Sequence, residues 1–382
     1  MKILNVIMSL DPVKGGGTAE RTIQMSKFLA KAGVGCSILT MELGLTPALR
    51  RDLNDINVIK LPCLSKRFYF PKPSFNLMKT IMGLVRTVDL VHIMNHWTII
   101  NVLIYFAARR LDIPYVVCPA GALPLFGRSK VLKKIYNFLV GYNLIRNATY
   151  CIAVTEDEIP QFEEYGVKRD RVIVIPNGIN REQYLNDDTK AFRNKHELGI
   201  HPFILFVGRL NPIKGPDLLL QAFCNAGDIL KNYHLVFAGP DEGLLAGLRE
   251  YTEVNMITDR VHFVGFIGDA EKSQAYHAAV LLSVPSRKEA MSIVVLEAGM
   301  AGTPVIITDQ CGFDEVESVK GGRVVPASVE GLRAGLIDIL SDRDVLKMMG
   351  QNLNVFVMEK FQWNNIINEY IRLYEQILAT AR

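Results

Sequence analysis

The sequence lacks any uninterrupted apolar run near the roughly 20 residues that a membrane-crossing helix needs, which argues against a helical span. Met1 to Leu10 is too short and strand-like for the apolar region of a secretory signal, so a cytoplasmic protein is expected. Cysteine is sparse: the six residues Cys36, Cys63, Cys118, Cys151, Cys224 and Cys311 stand singly, with no C-x-x-C and no histidine at metal spacing. That excludes a disulfide framework and a cysteine-based metal site, leaving reduced core thiols. Gly15-Gly16-Gly17 does not continue as G-x-G-x-x-G, which makes a dinucleotide oxidoreductase the weakest enzyme reading. No nucleic-acid-binding motif accompanies the basic charge. Asp342-Arg343-Asp344 has the D-x-D form of a metal pair, but aspartates at that point read as the start of a helix. Neither a bound metal nor a cofactor is expected.

What is present is bulk and alternation. At 382 residues and 49% apolar, the chain is long enough for two domains, each with its own core. The net charge of +4 hides an asymmetry. Residues 1–185 carry 24 Lys and Arg against 14 Asp and Glu, whereas 186–382 carry 19 against 25. Most of the excess lies in residues 50–150, with 15 basic and 4 acidic side chains, where it can meet an anionic partner. Within this stretch Ser65 to Pro73 and Phe126 to Tyr142 interleave cations with aromatic and aliphatic residues, a pattern that suits either an anionic lipid surface or a core-facing stripe with a solvated basic side.

Short apolar strands alternate with helical segments from Lys2 onward: 2–10, 34–41, 90–94, 115–118 and 150–154 read as strands, with helices at 18–32, 98–110 and 131–146 between them. After Pro176 to Asn180 the periodicity fades, and a second series begins at Phe203. The α/β reading is two doubly wound parallel-sheet domains, 1–185 and 186–362, followed by an amphipathic helix over 363–382. Ligands of such sheets bind beyond the carboxyl ends of the strands, so a shared substrate is expected between the domains.

Two loops of the second domain carry the chemistry. Val207 to Gly215, V-G-R-L-N-P-I-K-G, follows its first strand and supplies Arg209 and Lys214, the residue types that bind diphosphate and stabilise charge on a departing nucleoside diphosphate. Further on, P-S-R-K-E-A-M-S-I-V-V-L-E places Glu289 on a loop and Glu297 within the following helix, read as two turns in. A helix N-terminus flanked by two carboxylates favours a diphosphate beside sugar hydroxyls. On spacing alone, a dipole-capping glutamate and a solvated one are the simpler explanation of the pair.

The ordered set V-G-R-L-x-x-x-K-G, V-x-F-V-G-F at 261–266, P-S-x-x-E with a second Glu eight positions on, and A-G-T-P-V at 301–305 resembles the retaining glycosyltransferases of family 4, with the GT-B fold. G-G-G-T-A-E-R at 15–21, P-N-G-I-N at 176–180, D-Q-C-G-F-D-E at 309–315 and F-Q-W at 361–363 extend the likeness along nearly the whole chain. The resemblance implies a nucleoside-diphosphate sugar as co-substrate. It implies that Arg209 and Lys214 hold the diphosphate, Glu297 the ribose and Glu289 the sugar. Backbone near Val264 to Phe266 would meet the base, Met291, Ser292 and Ile293 would offer N–H groups, and Gly16 and Gly17 would let the first domain approach the donor. It also implies retention of configuration without a covalent intermediate, the leaving diphosphate helping to deprotonate the acceptor, and a last helix packing back on the first domain.

Three positions depart from the pattern. Met94 stands where a second histidine two places after His92 is common, and His96 either substitutes for it, orienting donor sugar or acceptor, or is simply packed. Ala120 replaces a polar or basic residue, and Ala290-Met291 replaces smaller residues after Glu289, which leaves the sugar open. The expected acceptor is a glycan or polyprenyl-linked glycan of the cell surface, of polysaccharide or lipopolysaccharide type, reached by a peripheral contact at the inner face of the membrane. A nucleotide-sugar epimerase of the same fold and a non-catalytic glycan- or lipid-binding partner are the alternatives.

Overall fold

A computed structural model describes residues 1–11, 15–65, 70–125 and 129–380. Parts of the two basic stretches noted above, residues 66–69 and 126–128, lie outside the described residues. The chain divides into two compact units, Met1–Gly178 with Trp363–Arg382, and Ile179–Gln362. The division falls before the residue 185 expected from fading periodicity. Ile179 already belongs to the second unit, pairing with Gln362, and Tyr184 packs its ring 6.2 Å from that of Tyr276.

The first unit holds β1 (Lys2–Val6), β2 (Gly35–Met41), β3 (Asn57–Leu61), a small antiparallel pair β4 (Cys63–Ser65) and β5 (Phe70–Pro71), then β6 (Leu90–Met94), β7 (Tyr115–Cys118), β8 (Tyr150–Ala153) and β9 (Val172–Val174). Seven of these form one parallel sheet in the order β3-β2-β1-β6-β7-β8-β9. Strands buried on both faces are mostly apolar, as Ile3, Leu4 and Val6, and Val91, Ile93 and Met94, show; the buried polar exceptions Asn5 and His92 are hydrogen-bonded, to Ser26 and Tyr374. The sheet reverses direction of growth between β1 and β6, the place where ligands of open α/β sheets bind.

Trp363–Thr380, the last helix, completes the core of this unit. Its buried face, Trp363, Ile366, Ile367, Tyr370, Leu373, Tyr374 and Ile377, follows the 3.6-residue period. Trp363 stacks near Phe28 at 6.2 Å and lies so close to Gly178 that a Cβ there would stand 2.5 Å from the indole. Arg21, 2% exposed, donates to Asn177 Oδ1, to the Ile175 carbonyl and to the Tyr370 hydroxyl.

In the second unit β10 (Phe203–Val207), β11 (His234–Ala238), β12 (Val261–Gly265), β13 (Leu281–Val284), β14 (Val305–Thr308) and β15 (Gly322–Val325) form a parallel sheet in the order β12-β11-β10-β13-β14-β15. Its switch point lies between β10 and β13. Backbones approach closely there, where a Cβ on Gly215 (φ +67°) would stand 2.0 Å from the Pro285 carbonyl, and again between β10 and β11, where one on Gly239 would stand 1.8 Å from that of Gly208. Only glycine fits at either place.

Candidate functional site

Because β10 and β13 are neighbours, the loops that leave their carboxyl ends, 208–215 and 285–292, lie side by side. The two sequence-marked loops are thereby brought together. Lys214 Nζ stands 2.9 Å from Glu289 Oε1, which also accepts from Ser286 Oγ at 2.5 Å. A cation suited to diphosphate and a carboxylate suited to sugar hydroxyls are therefore adjacent, as neighbouring parts of one ligand require.

Arg287, not singled out from the sequence, clasps the loops. Its guanidinium forks onto Asp217 at 2.8 and 2.6 Å and donates to the Pro212 carbonyl at 2.6 Å, while its N–H reaches the Ile213 carbonyl. The Asp217 hydrogen bonds hold its pKa above the ordinary value. Asp217 sits in the first turn of the helix Pro216–Asn225, and Arg287 two residues ahead of Glu289. Only their shared neighbourhood in space links them, which a linear pattern does not display.

Arg209 is 3.2 Å from Glu242, which also accepts from Asn211 Nδ2 at 2.7 Å. Glu242, in the P-D-E-G turn after β11, was also not singled out. It competes with any diphosphate for that guanidinium.

Glu297 lies within the helix Ile293–Met300, and the start of that helix corrects the two-turn estimate to about one turn. Met291 and Ser292 precede the helix, and Ser292 is extended at φ −77° and ψ 109°. Glu297 is 2% exposed; Oε1 accepts from Lys272 Nζ at 2.7 Å and Oε2 from the Tyr276 hydroxyl at 2.5 Å. Burial, reinforced by that carboxylate, drives the Tyr276 pKa well above its ordinary value, so the hydroxyl stays protonated and donates. A carboxylate has about four acceptor directions, so two bonds leave capacity for a ribose hydroxyl.

Ser292 is the N-cap of this helix, yet its hydroxyl makes no capping bond, is buried and has no partner. A serine at that place ordinarily satisfies a helix N–H itself. Here a buried hydroxyl is left without a bond at the start of the helix. Val264 is half-buried in β12, and Phe266 is 54% exposed just after Gly265 turns at φ +75°. A hollow of about 460 Å³ runs along this edge strand, lined in part by His196, Arg249, His262 and Val264.

In the first unit, Gly16 opens the helix Gly16–Lys31 at φ +52°, with Gly17 exposed beside it. Across the switch point Asn95 and Ala120, both non-glycine, adopt φ +62° and +48° at the ends of β6 and β7. Left-handed backbone at such places is strain held by its surroundings. The buried Glu158 supplies part of that hold, accepting from the N–H groups of Gly121 at 2.5 Å and Val154 at 2.6 Å. Burial raises its pKa while those N–H groups oppose the rise.

Of the two readings of His96, the packed one describes its surroundings. It is fully buried, with Nε2 3.0 Å from Asn137 Oδ1 and its ring 4.5, 5.3 and 5.5 Å from those of Trp97, Tyr136 and Tyr165. His92 is equally buried, with Nδ1 2.7 Å from the Tyr374 hydroxyl. Desolvation lowers His92 to about 3, helped by Arg21, and lowers His96 to about 4 against the Asn137 hydrogen bond and with help from Lys133. An unfolded histidine titrates near 6.5, so between that value and the folded one the unfolded chain binds more protons. Stability is thus complete above about pH 6.5 and declines as pH falls, by about 1.4 kcal/mol per unit for each histidine. Urea midpoints of the first unit at pH 7.5, 6 and 5 check this. A His92→Gln/His96→Gln variant with an undiminished slope would refute it.

Asp342 accepts from the N–H groups of Asp344 and Val345 at the start of the helix Arg343–Lys360, so this D-x-D segment caps a helix. Among the described residues no three His, Cys, Asp or Glu side chains converge as a metal site would need.

Comparison with known proteins defines the class. Residues 188–354 match the family described as glycosyl transferases group 1, and residues 15–183 match glycosyltransferase family 4. The chain belongs to the glycosyltransferases of that family. A D-inositol 3-phosphate glycosyltransferase of Nocardia farcinica is 33% identical over 222 residues, 54% of this chain and 48% of that one. An uncharacterised glycosyltransferase of Methanocaldococcus jannaschii is 30% identical over 226 residues, 55% of each chain. The matches thus span about half the length of these curated relatives. The Anabaena protein HepE, crystallised with UDP and glucose, superposes with a TM-score of 0.81 at 20% identity, over 98% of this chain and 100% of that one. That likeness shows the fold, GT-B.

Proposed function

We propose that this chain transfers a sugar from a nucleoside-diphosphate sugar to a glycan or polyprenyl-linked acceptor, with retention of configuration and without a metal ion. The observation that carries the reading is the Lys214–Glu289 pair at the β10/β13 switch point, beside a helix N-terminus with a buried, unpartnered serine hydroxyl. Lys214, and Arg209 once released from Glu242, neutralise the diphosphate. Glu289 accepts from a sugar hydroxyl, Glu297 from ribose, and the backbone at Val264 to Phe266 meets the base. As the bond from the anomeric carbon to the diphosphate oxygen breaks, a bond to the acceptor oxygen forms on the same face. The acceptor proton passes to the departing diphosphate, so no carboxylate nucleophile takes part.

HepE was crystallised with UDP and glucose, so UDP-glucose is the first donor to try. The printed activity of the Nocardia relative makes inositol phosphate one acceptor to include. A thermal-shift panel of UDP-, GDP- and ADP-sugars tests the reading, because a ligand at 100 times its Kd stabilises the native state by about 2.7 kcal/mol. One donor class is expected to raise the Tm, and Glu297→Ala to abolish the rise. No shift with any donor would defeat the proposal, and conversion of donor without acceptor would favour an epimerase.

A further inference from the structure

Residues 130–146 form a continuous helical stretch: α-helix Lys130–Tyr136, a π-turn Asn137–Gly141 and α-helix Tyr142–Arg146. At about 1.5 Å per residue it is roughly 25 Å long. One face, Asn137, Val140, Gly141, Leu144 and Ile145, is buried. A surface helix ordinarily turns polar residues outward from such a face. This one does not.

Val131, Leu132, Ile135, Phe138, Leu139 and Tyr142 are 70, 66, 49, 83, 67 and 47% exposed. Their spacing of i, i+1, i+4, i+7, i+8 and i+11 gathers them into a second apolar stripe, which the described residues leave largely exposed, Tyr142 alone lying beside another ring, that of Tyr165 at 4.8 Å. Six large apolar side chains in one outward row mark a surface that meets something apolar. Lys130 and Lys134 are exposed on the same stretch, Arg146 is exposed at its end, and none of residues 113–155 is acidic. A second copy of this chain seated on the stripe would bring two basic faces together. An anionic partner is favoured by the same charges.

We propose that the outward stripe Val131–Tyr142, with Lys130 and Lys134, docks this unit on the surface of an anionic phospholipid bilayer. Its apolar side chains enter the boundary between headgroups and acyl chains, and the lysines engage lipid phosphates. No described helix is long and apolar enough to cross a membrane, so the contact is peripheral. It deepens the proposed reaction by bringing a lipid-linked acceptor within reach, but it does not depend on that reaction.

Sedimentation of the full chain with vesicles tests the proposal, using phosphatidylcholine with or without phosphatidylglycerol and neither donor nor acceptor. Pelleting is expected only with the anionic vesicles, weakening as salt rises from 50 to 300 mM. Lys130→Gln/Lys134→Gln should weaken binding roughly thirtyfold. Leu132→Ser/Phe138→Ser/Leu139→Ser should weaken it at least tenfold, with unchanged far-ultraviolet dichroism. Should the apolar variant misfold, the lysine variant, confined to exposed side chains, decides the matter. Equal pelleting with neutral vesicles would overturn the proposal. So would a chain that ignores vesicles and instead forms a dimer abolished by the serine substitutions. Donor binding in solution is measured separately, so failure here leaves the transfer reading standing, and the reverse.

Discussion

Lys214→Ala should cut the rate constant for sugar transfer by roughly 10²–10³ while the enzyme stays folded, because it removes one preorganised charge from the place where the leaving diphosphate becomes more negative. The residue is suited to that test. Its ammonium is about a quarter exposed and bonds only at the rim of the β10/β13 switch, so stability rests little on it. Loss of Lys214 also frees Glu289 from its cation, leaving the Ser286 hydroxyl as its partner. Steady-state kinetics with saturating donor separate the two consequences: a fall in kcat reports the transition state, and a rise in KM reports ground-state binding. Lys214→Arg should recover part of the rate, since charge is restored in a different shape. A kcat within about threefold of the parent would remove Lys214 from the diphosphate site, whatever donor binding shows.

Trp363→Ala is expected to destabilise the first unit by about 3–5 kcal/mol, the range for emptying a large buried aromatic site. The indole is 1% exposed, lies against Phe28 and leaves no space at Gly178 for even a methyl group. The chain has two tryptophans, Trp97 and Trp363, and both lie in the first unit. In the variant the fluorescence of Trp97 therefore reports unfolding of that unit alone. Its urea midpoint should fall while the transition of the second unit, followed by dichroism, stays in place. A common shift of both transitions would show that the two units unfold as one.

Much of the site could be read in the chain because its parts lie at the ends of strands. Apolar runs such as Phe203 to Val207 identify a buried parallel strand, and Gly208 and Gly215 mark where backbones crowd. The chemistry between them, Arg209 and Lys214, is then placed by topology. Glu289 could be put on a loop because Pro285 ends the strand. The start of the helix was less legible, since Met291 and Ser292 have no feature that bars helical backbone, and the helix begins at Ile293. Contacts between distant segments were not legible at all. Arg287 meets Asp217 across 70 residues, and Glu158 supports Gly121 across 37. Each is an ordinary charged residue until the sheet order is known. His96 stayed ambiguous for the same reason: a histidine after a strand suggests chemistry, and its aromatic enclosure is built from residues up to 69 positions away.

The last helix has a consequence for synthesis. Ile179–Gln362 is contiguous, so every strand and helix of the second unit has been made before residue 363 is added. The first unit is begun at Lys2, yet side chains that complete its core, Trp363, Tyr370 and Tyr374 among them, are made only after the whole of the second unit. Domains made first ordinarily fold first, during synthesis at about 5–20 residues per second. Here that order is reversed: for the roughly ten seconds or more needed to make the second unit, the seven-stranded sheet waits with one face of its core open.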